Sequence, residues 1–198
     1  MSTPSMTLFH NPASPFVRKV MVLLHETGQT DRVALQLSQL SPVSPDAVLN
    51  LDNPLGKIPA LRLADGNVLY DSRVILDYLD QQHVGNPLIP AEGTARWRRL
   101  TLAALADGIM DAAVMVRYEL ALRAPEKHWP EWLDAQREKI RRALSVLEAD
   151  AIAELRAQGI TSHLISGDNA GSANAVGRAL GIEQVHAQVL PADKAAHI

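Results

Sequence analysis

Four short stretches of the chain hold residue types able to do chemistry, three of them in its first half. Ser14 precedes Pro15 and the helically spaced Phe16, Val20, Leu23 and Leu24. A serine before a proline at the first helical position caps the helix. The unpaired amides and partial positive charge there place its hydroxyl to donate toward a thiolate or another anion. An ordinary capping role is the alternative. Asp71-Ser72 stands likewise before Val74, Ile75, Tyr78 and Leu79, where the serine hydroxyl and its neighbouring amides could hold a carboxylate or simply cap. Between them lies Asn53-Pro54-Leu55-Gly56-Lys57-Ile58-Pro59, and a proline directly before a strand can present the preceding backbone to an extended ligand. Sequence alone leaves the isomer of the Ile58–Pro59 bond open. The fourth stretch, Ser166-Gly167-Asp168-Asn169, lies near the C-terminus.

The elements that must position these residues follow from the pattern. Met6 to His10 reads as a strand, the run from Pro15 as a helix closed by Gly28, and Val33 to Leu37 as a second strand parallel to the first. Ser44 to Leu51 reads as a short helix. Ala60 to Leu63 and Val68 to Tyr70 flank an Asp65-Gly66 hairpin signal, and the Asp71-Ser72 helix completes the order β-α-β-α-β-β-α. Residues 83–93, with Pro87 and Pro90, read as a linker. Two long helices follow, Thr94 to about Arg123 and Pro130 to about Leu155, the second with Ile140, Leu144, Leu147, Ala151 and Leu155 in one apolar stripe. Thr161 to Asn169 then reads as a strand into a polar turn, Ser172 to Leu180 as a helix stopped by Gly181, and Val185 to Val189 as another strand.

Composition narrows the classes further. In 198 residues there is no cysteine, so disulfides, thiolate metal sites and a cysteine nucleophile are excluded, and any sulfur chemistry must use a substrate's sulfur. The 19 basic and 22 acidic residues form no basic run, which gives no reason to expect a nucleic-acid partner. No stretch approaches the roughly 18 apolar residues of a membrane span, and Met1 to Met6 has no signal-peptide pattern, so a cytoplasmic protein without a membrane partner is expected. His10, His25 and His128 suggest no metal site or catalytic dyad. All eight aromatics lie at or before Trp132, so the last forty or so residues differ in composition.

Ser14-Pro-Phe-Val-Arg-Lys, the Asn53-to-Leu61 block, and Val68-Leu-Tyr-Asp-Ser-Arg-Val-Ile occur together in an order and spacing that resemble the glutathione S-transferase family. Ala104-Leu-Ala-Asp-Gly-Ile-Met-Asp-Ala resembles bacterial members, so the similarity runs from Met6 to about Leu155. The resemblance implies an α/β thioredoxin-like N-terminal domain (1–82), the linker, and an α-helical second domain of which only the first two long helices are present (94–157). It places Ser14 at the glutathione sulfur, with Ala13 and Asn11 as alternative positions, because the serine's offset varies among family classes. Ile58 pairs its backbone with the cysteinyl part, Pro59 is the family's cis-proline, and Lys57 lies beside the glycyl arm. Asp71 and Ser72 hold the γ-glutamyl end, Asp71 standing where many relatives have glutamate. A small hydrophobic electrophile would meet Met110, Val114 and Tyr118, residues whose spacing also suits plain core. Glutathione is then a co-substrate, with no further cofactor and no metal, and a homodimer is expected.

Residues 158–198 instead resemble a fragment of the phosphorylation domain of heavy-metal P-type ATPases, through Ile165-Ser-Gly-Asp-Asn and Pro191-Ala-Asp-Lys194. In that family Ser166 and Lys194 would hold an aspartyl-phosphate. The nucleophile and magnesium motifs are absent, so a βαβ segment without ATPase activity is expected, standing where a transferase has its last helices. Three functions remain: a glutathione transferase impaired by that replacement, a non-enzymatic glutathione-binding or interaction protein, and an inactive ATPase-derived fragment.

Overall fold

The computed structural model describes residues 4–190. Strand β1 (Met6–His10) pairs in parallel with β2 (Val33–Leu37) and antiparallel with β3 (Ala60–Arg62), which pairs antiparallel with β4 (Val68–Leu69). The resulting sheet has the order β2-β1-β3-β4. Alternation along the strands sends side chains to opposite faces. Leu8 and Leu61 join Val20 and Leu24 of α1 (Pro15–Glu26) and Ile75 and Leu79 of α3 (Ser72–Asp80) in one core. Phe9 and Ala60 face the other way, onto Leu49 of α2 (Ala47–Asp52). The sheet is thus sandwiched between α1 and α3 on one side and α2 on the other. The order is the one expected from the pattern, with β3, β4 and α2 shifted or shortened by one to three residues. In particular Asp46, not Ser44, caps α2, its carboxylate accepting from the amides of Val48 and Leu49.

Helix α4 (Gly93–Leu122) and helix α5 (Pro130–Ala157) follow. The chain divides into two compact units, Met1–Met110 and Asp111–Ile198. That division falls inside α4, and Asp107, on its first-unit side, is ion-paired to Lys19 and Arg73. The linker is itself anchored there, since buried Asp80 accepts from the amides of Leu88 and Ile89, both at 2.8 Å.

In the second unit, β5 (His163–Ile165) and β6 (Gln184–His186) form a two-stranded parallel sheet joined through α6 (Ala170–Leu180). Helix α6 begins two residues before the expected Ser172, because the Asn169 side chain accepts from Ser172 N and sets the cap at 169. Strand β6 ends at His186 and not at Val189. The amides of Gln188 and Val189 turn back to the carbonyls of Asp168 and Ser166, which takes them out of the ladder. Gly181 closes α6 in the left-handed region (φ +68°), where an L side chain is strained. On α5, Leu133 and Gln136 are buried, whereas Leu144, Ala151 and Leu155 of the expected apolar stripe are exposed.

Candidate functional site

Register places the sequence-predicted residues of the first unit at one end of the sheet. Phe9 pairs with Ala60, so the segment leaving β1 toward Ser14 runs beside Ile58-Pro59, which enters β3. Leu61 pairs with Leu69, so Tyr70-Asp71, leaving β4, comes to the same end. Two of the three segments then continue as helix N-termini, those of α1 and α3, where unpaired amides favour anions.

Ser14 caps α1 in an extended conformation, and its Oγ accepts from Val17 N at 3.3 Å. A hydroxyl has one proton and two lone pairs, so the cap uses an acceptor position and leaves the proton to donate outward. The turn before it is held by Asn11, whose Oδ1 accepts from Ala13 N and whose Nδ2 donates to the Ser38 carbonyl. The Asn11 side chain is engaged in this turn, and Ser14 carries the hydroxyl at the α1 N-terminus.

The Ile58–Pro59 peptide bond is cis, as is Tyr70–Asp71. The loop before it is built around buried Asn53, which donates to the Lys57 carbonyl at 2.8 Å and accepts from Leu55 N at 3.1 Å. Gly56 sits at φ +58°, which suits glycine. Among the described residues no hydrogen bond engages the Ile58 backbone, and the Lys57 side chain is exposed. Asp71 caps α3, accepting from Arg73 N at 3.0 Å, and its carboxylate is exposed, while Ser72 is buried.

Sequence reasoning missed what ties the two helices together. Asp107 is buried, with Oδ1 2.5 Å from Lys19 Nζ on α1 and Oδ2 2.6 Å from Arg73 Nε on α3. Lys19 lies about one turn beyond Ser14 and Arg73 directly follows Ser72. Asp107 thus links α1, about one turn into the helix, to the first turn of α3. An aspartate among the apolar residues 102–106 and 109–110 was the available signal.

Met110, Val114 and Tyr118 lie at intervals of four along α4, each half-buried. Lys194 lies outside the described residues. Ser166 Oγ and Asp168 engage one another, the hydroxyl donating to Asp168 Oδ2 at 3.0 Å and accepting from Asp168 N at 3.1 Å. Among the described residues no three metal-ligating side chains cluster, and no helix is long and apolar enough to cross a membrane.

Fold and site together define a thioredoxin-like α/β domain with two helix N-termini at one end of its sheet, followed by a helical part. Residues 8–87 match the family model for the glutathione S-transferase N-terminal domain. The GST-like protein YibF of Escherichia coli K12, itself uncharacterised, is 38% identical over 143 residues, 72% of this chain and 68% of that protein. A crystal structure of a glutathione transferase family member from Pseudomonas fluorescens Pf-5 with bound glutathione is 84% identical, at a TM-score of 0.75. It covers 77% of this chain and 75% of the other. A second structure from that organism, with bound S-(propanoic acid)-glutathione, is 80% identical at a TM-score of 0.70, covering 77% and 74%. The chain belongs to the glutathione S-transferase family. It also carries a segment of 50 residues 46% identical to a probable copper-exporting P-type ATPase V of Mycobacterium tuberculosis, 25% of this chain but 6% of that protein.

Proposed function

We propose that the first unit binds glutathione and that the chain conjugates its thiolate to a small hydrophobic electrophile. The observation that carries this is the convergence of the α1 N-terminus at Ser14, the open Ile58 backbone and the α3 N-terminus at Asp71-Ser72 on one end of the sheet. Glutathione has two carboxylates, one ammonium and a thiol. The α3 N-terminus and the exposed Asp71 carboxylate suit the carboxylate and ammonium of the γ-glutamyl end. Ile58 suits the peptide amide and carbonyl of the cysteinyl part, before Pro59, and Lys57 the glycyl carboxylate.

Ser14 then faces the sulfur. A free thiol ionises near about pH 8.5, and a hydroxyl donor beside a helix N-terminus favours the thiolate. The thiol proton leaves to solvent, and the sulfur lone pair forms a C–S bond to the electrophilic carbon. The displaced electron pair departs with a leaving group or is protonated on the acceptor. Ser14 stays a hydrogen-bond donor throughout, never a covalent nucleophile. The thioether held by the Pseudomonas relative is of the product type this reaction makes. In this reading Met110, Val114 and Tyr118 face the electrophile, and the protein is a cytoplasmic homodimer.

The exposure of Leu144, Ala151 and Leu155 on α5 favours a second reading, in which glutathione is bound but the electrophile site is lost. Titrating the full chain and Ser14→Ala with glutathione, with conjugation rates for a general electrophile alongside, separates the two. A transferase shows turnover that falls roughly 10- to 100-fold in Ser14→Ala, the range of one hydrogen bond to a charged group. Binding without turnover supports the second reading, and unchanged rates in Ser14→Ala overturn the role of Ser14.

A further inference from the structure

The second unit contains a pair of histidines that the glutathione chemistry does not use. His163 opens β5 and His186 closes β6, and the ladder pairs His163 with Gln184 and Ile165 with His186. In-register residues of paired strands share a face, and successive residues alternate. Val185 points at α6, because a Cβ placed on Gly177 of that helix would lie 2.5 Å from Val185 Cγ2. Leu164, its partner, shares that face. His163, Ile165, Gln184 and His186 therefore occupy the face of the two-stranded sheet turned away from α6.

On that face the two imidazoles meet across the strands, with Nδ1 of His163 3.4 Å from Nε2 of His186. The ring planes are within 3° of one another and the centroids 5.7 Å apart, so the rings approach through their nitrogen edges. A separation of 3.4 Å is long for a hydrogen bond between two nitrogens. It suits a different arrangement: two nitrogens each about 2.0–2.1 Å from one tetrahedral ion stand about 3.3–3.4 Å apart. The terminal torsion of histidine is soft and His163 is exposed, so small rotations of both rings bring the two lone pairs onto one point. Parallel strands joined through a helix fix the spacing of the two backbones, so the ion need not organise the site.

We propose that His163 and His186 form a binding site for a divalent transition-metal ion of the zinc, copper or nickel type, the ions that imidazole suits. Among the described residues no third metal-ligating side chain clusters with them. Two protein ligands make an open, exchangeable site, unlike the closed four-ligand sites that hold a fold together. It stands independently of the glutathione site.

The test is calorimetric titration of the full chain with Zn²⁺, beside the variants His163→Ala, His186→Ala and, as a control, His25→Ala. One ion per chain is expected, with affinity at least about tenfold weaker in each of the first two variants and unchanged in the third. Equal affinity in His163→Ala, or no Zn²⁺ binding up to millimolar concentration, overturns the site. Should His186→Ala fail to fold, electron paramagnetic resonance of the unsubstituted chain with one equivalent of Cu²⁺ decides. Coupling to two imidazole nitrogens that drops to one in His163→Gln supports the site, and an unchanged spectrum overturns it.

Discussion

The carboxylate of Asp107 lies 2.6 Å from Nε of Arg73, the residue that follows Ser72. The anion is buried while the arginine side chain is 58% exposed. Such asymmetry decides which partner is costly to lose. Asp107→Ala frees Lys19 and Arg73 to reach water, so it should cost about 1–3 kcal/mol, below the roughly 3–5 kcal/mol of a fully buried broken pair. Arg73→Ala leaves Lys19 on the carboxylate and should cost less. Urea denaturation of both variants checks the order, and a larger loss in Arg73→Ala would contradict it.

Ser14 combines two duties that a single substitution can separate. Aspartate caps helices about as well as serine, so Ser14→Asp should hold the melting temperature of the chain. Its negative charge beside the sulfur opposes the thiolate and raises the thiol's ionisation range, so conjugation at neutral pH should fall further than in Ser14→Ala. Thermal melts beside rate measurements test this, and a Ser14→Asp variant as active as the unsubstituted chain would remove Ser14 from the sulfur.

Asp46 carries one part of the pH dependence of the first unit. The Leu49 amide chiefly, with that of Val48 as a smaller contribution, holds its carboxyl below the ordinary value of 3.8. A folded-state value below the unfolded one means stability that is present above the unfolded value and lost as pH falls through the folded one. Helix α2 should therefore loosen as the pH drops below about 4. Asn caps comparably without ionising, so Asp46→Asn should flatten this part of the acid response. Amide resonances of Val48 and Leu49 followed through an acid titration of both proteins provide the comparison.

Gly177 supplies a prediction for the second unit. With Val185 Cγ2 2.5 Å from the position of an added Cβ, Gly177→Ala forces α6 and β6 apart. Overpacking of this kind costs about 1–3 kcal/mol. Pairing it with Val185→Ala removes the obstructing methyl groups, so the double variant should lose less than the two single losses added together. Simple additivity in denaturation experiments would place the strain elsewhere.

Removal of Asp80 should be felt along the chain that follows α3. Two amides, Leu88 and Ile89, lose a buried acceptor in Asp80→Ala, at about 1–3 kcal/mol. Limited proteolysis should then cut near residues 84–92 earlier than in the unsubstituted chain.

Local signals made the first unit readable. β1 and β2 have the bounds their apolar runs indicate, and Ser14-Pro15 opens α1 because cap and proline act within one turn. What could not be read depends on partners distant in the chain. Asp107 is separated from Lys19 by 88 residues and from Arg73 by 34, and nothing near it announces two cations. The α5 stripe shows the converse: its helical spacing is plain, yet Leu144 and Leu155 remain exposed, because burial depends on what packs there. Likewise, β6 is shorter than its apolar run indicates, because Gln188 and Val189 donate to carbonyls of another loop.

The position of Asp107 also bears on how the molecule could be cut. A fragment severed at the linker would keep Lys19 and Arg73 but discard, with α4, the carboxylate that bridges them. The smallest piece that keeps this bridge between α1 and α3 has to carry the first half of α4 as a permanent strut. Excision or grafting of the α/β part is therefore governed by one carboxylate beyond the linker, and not by where the sheet ends.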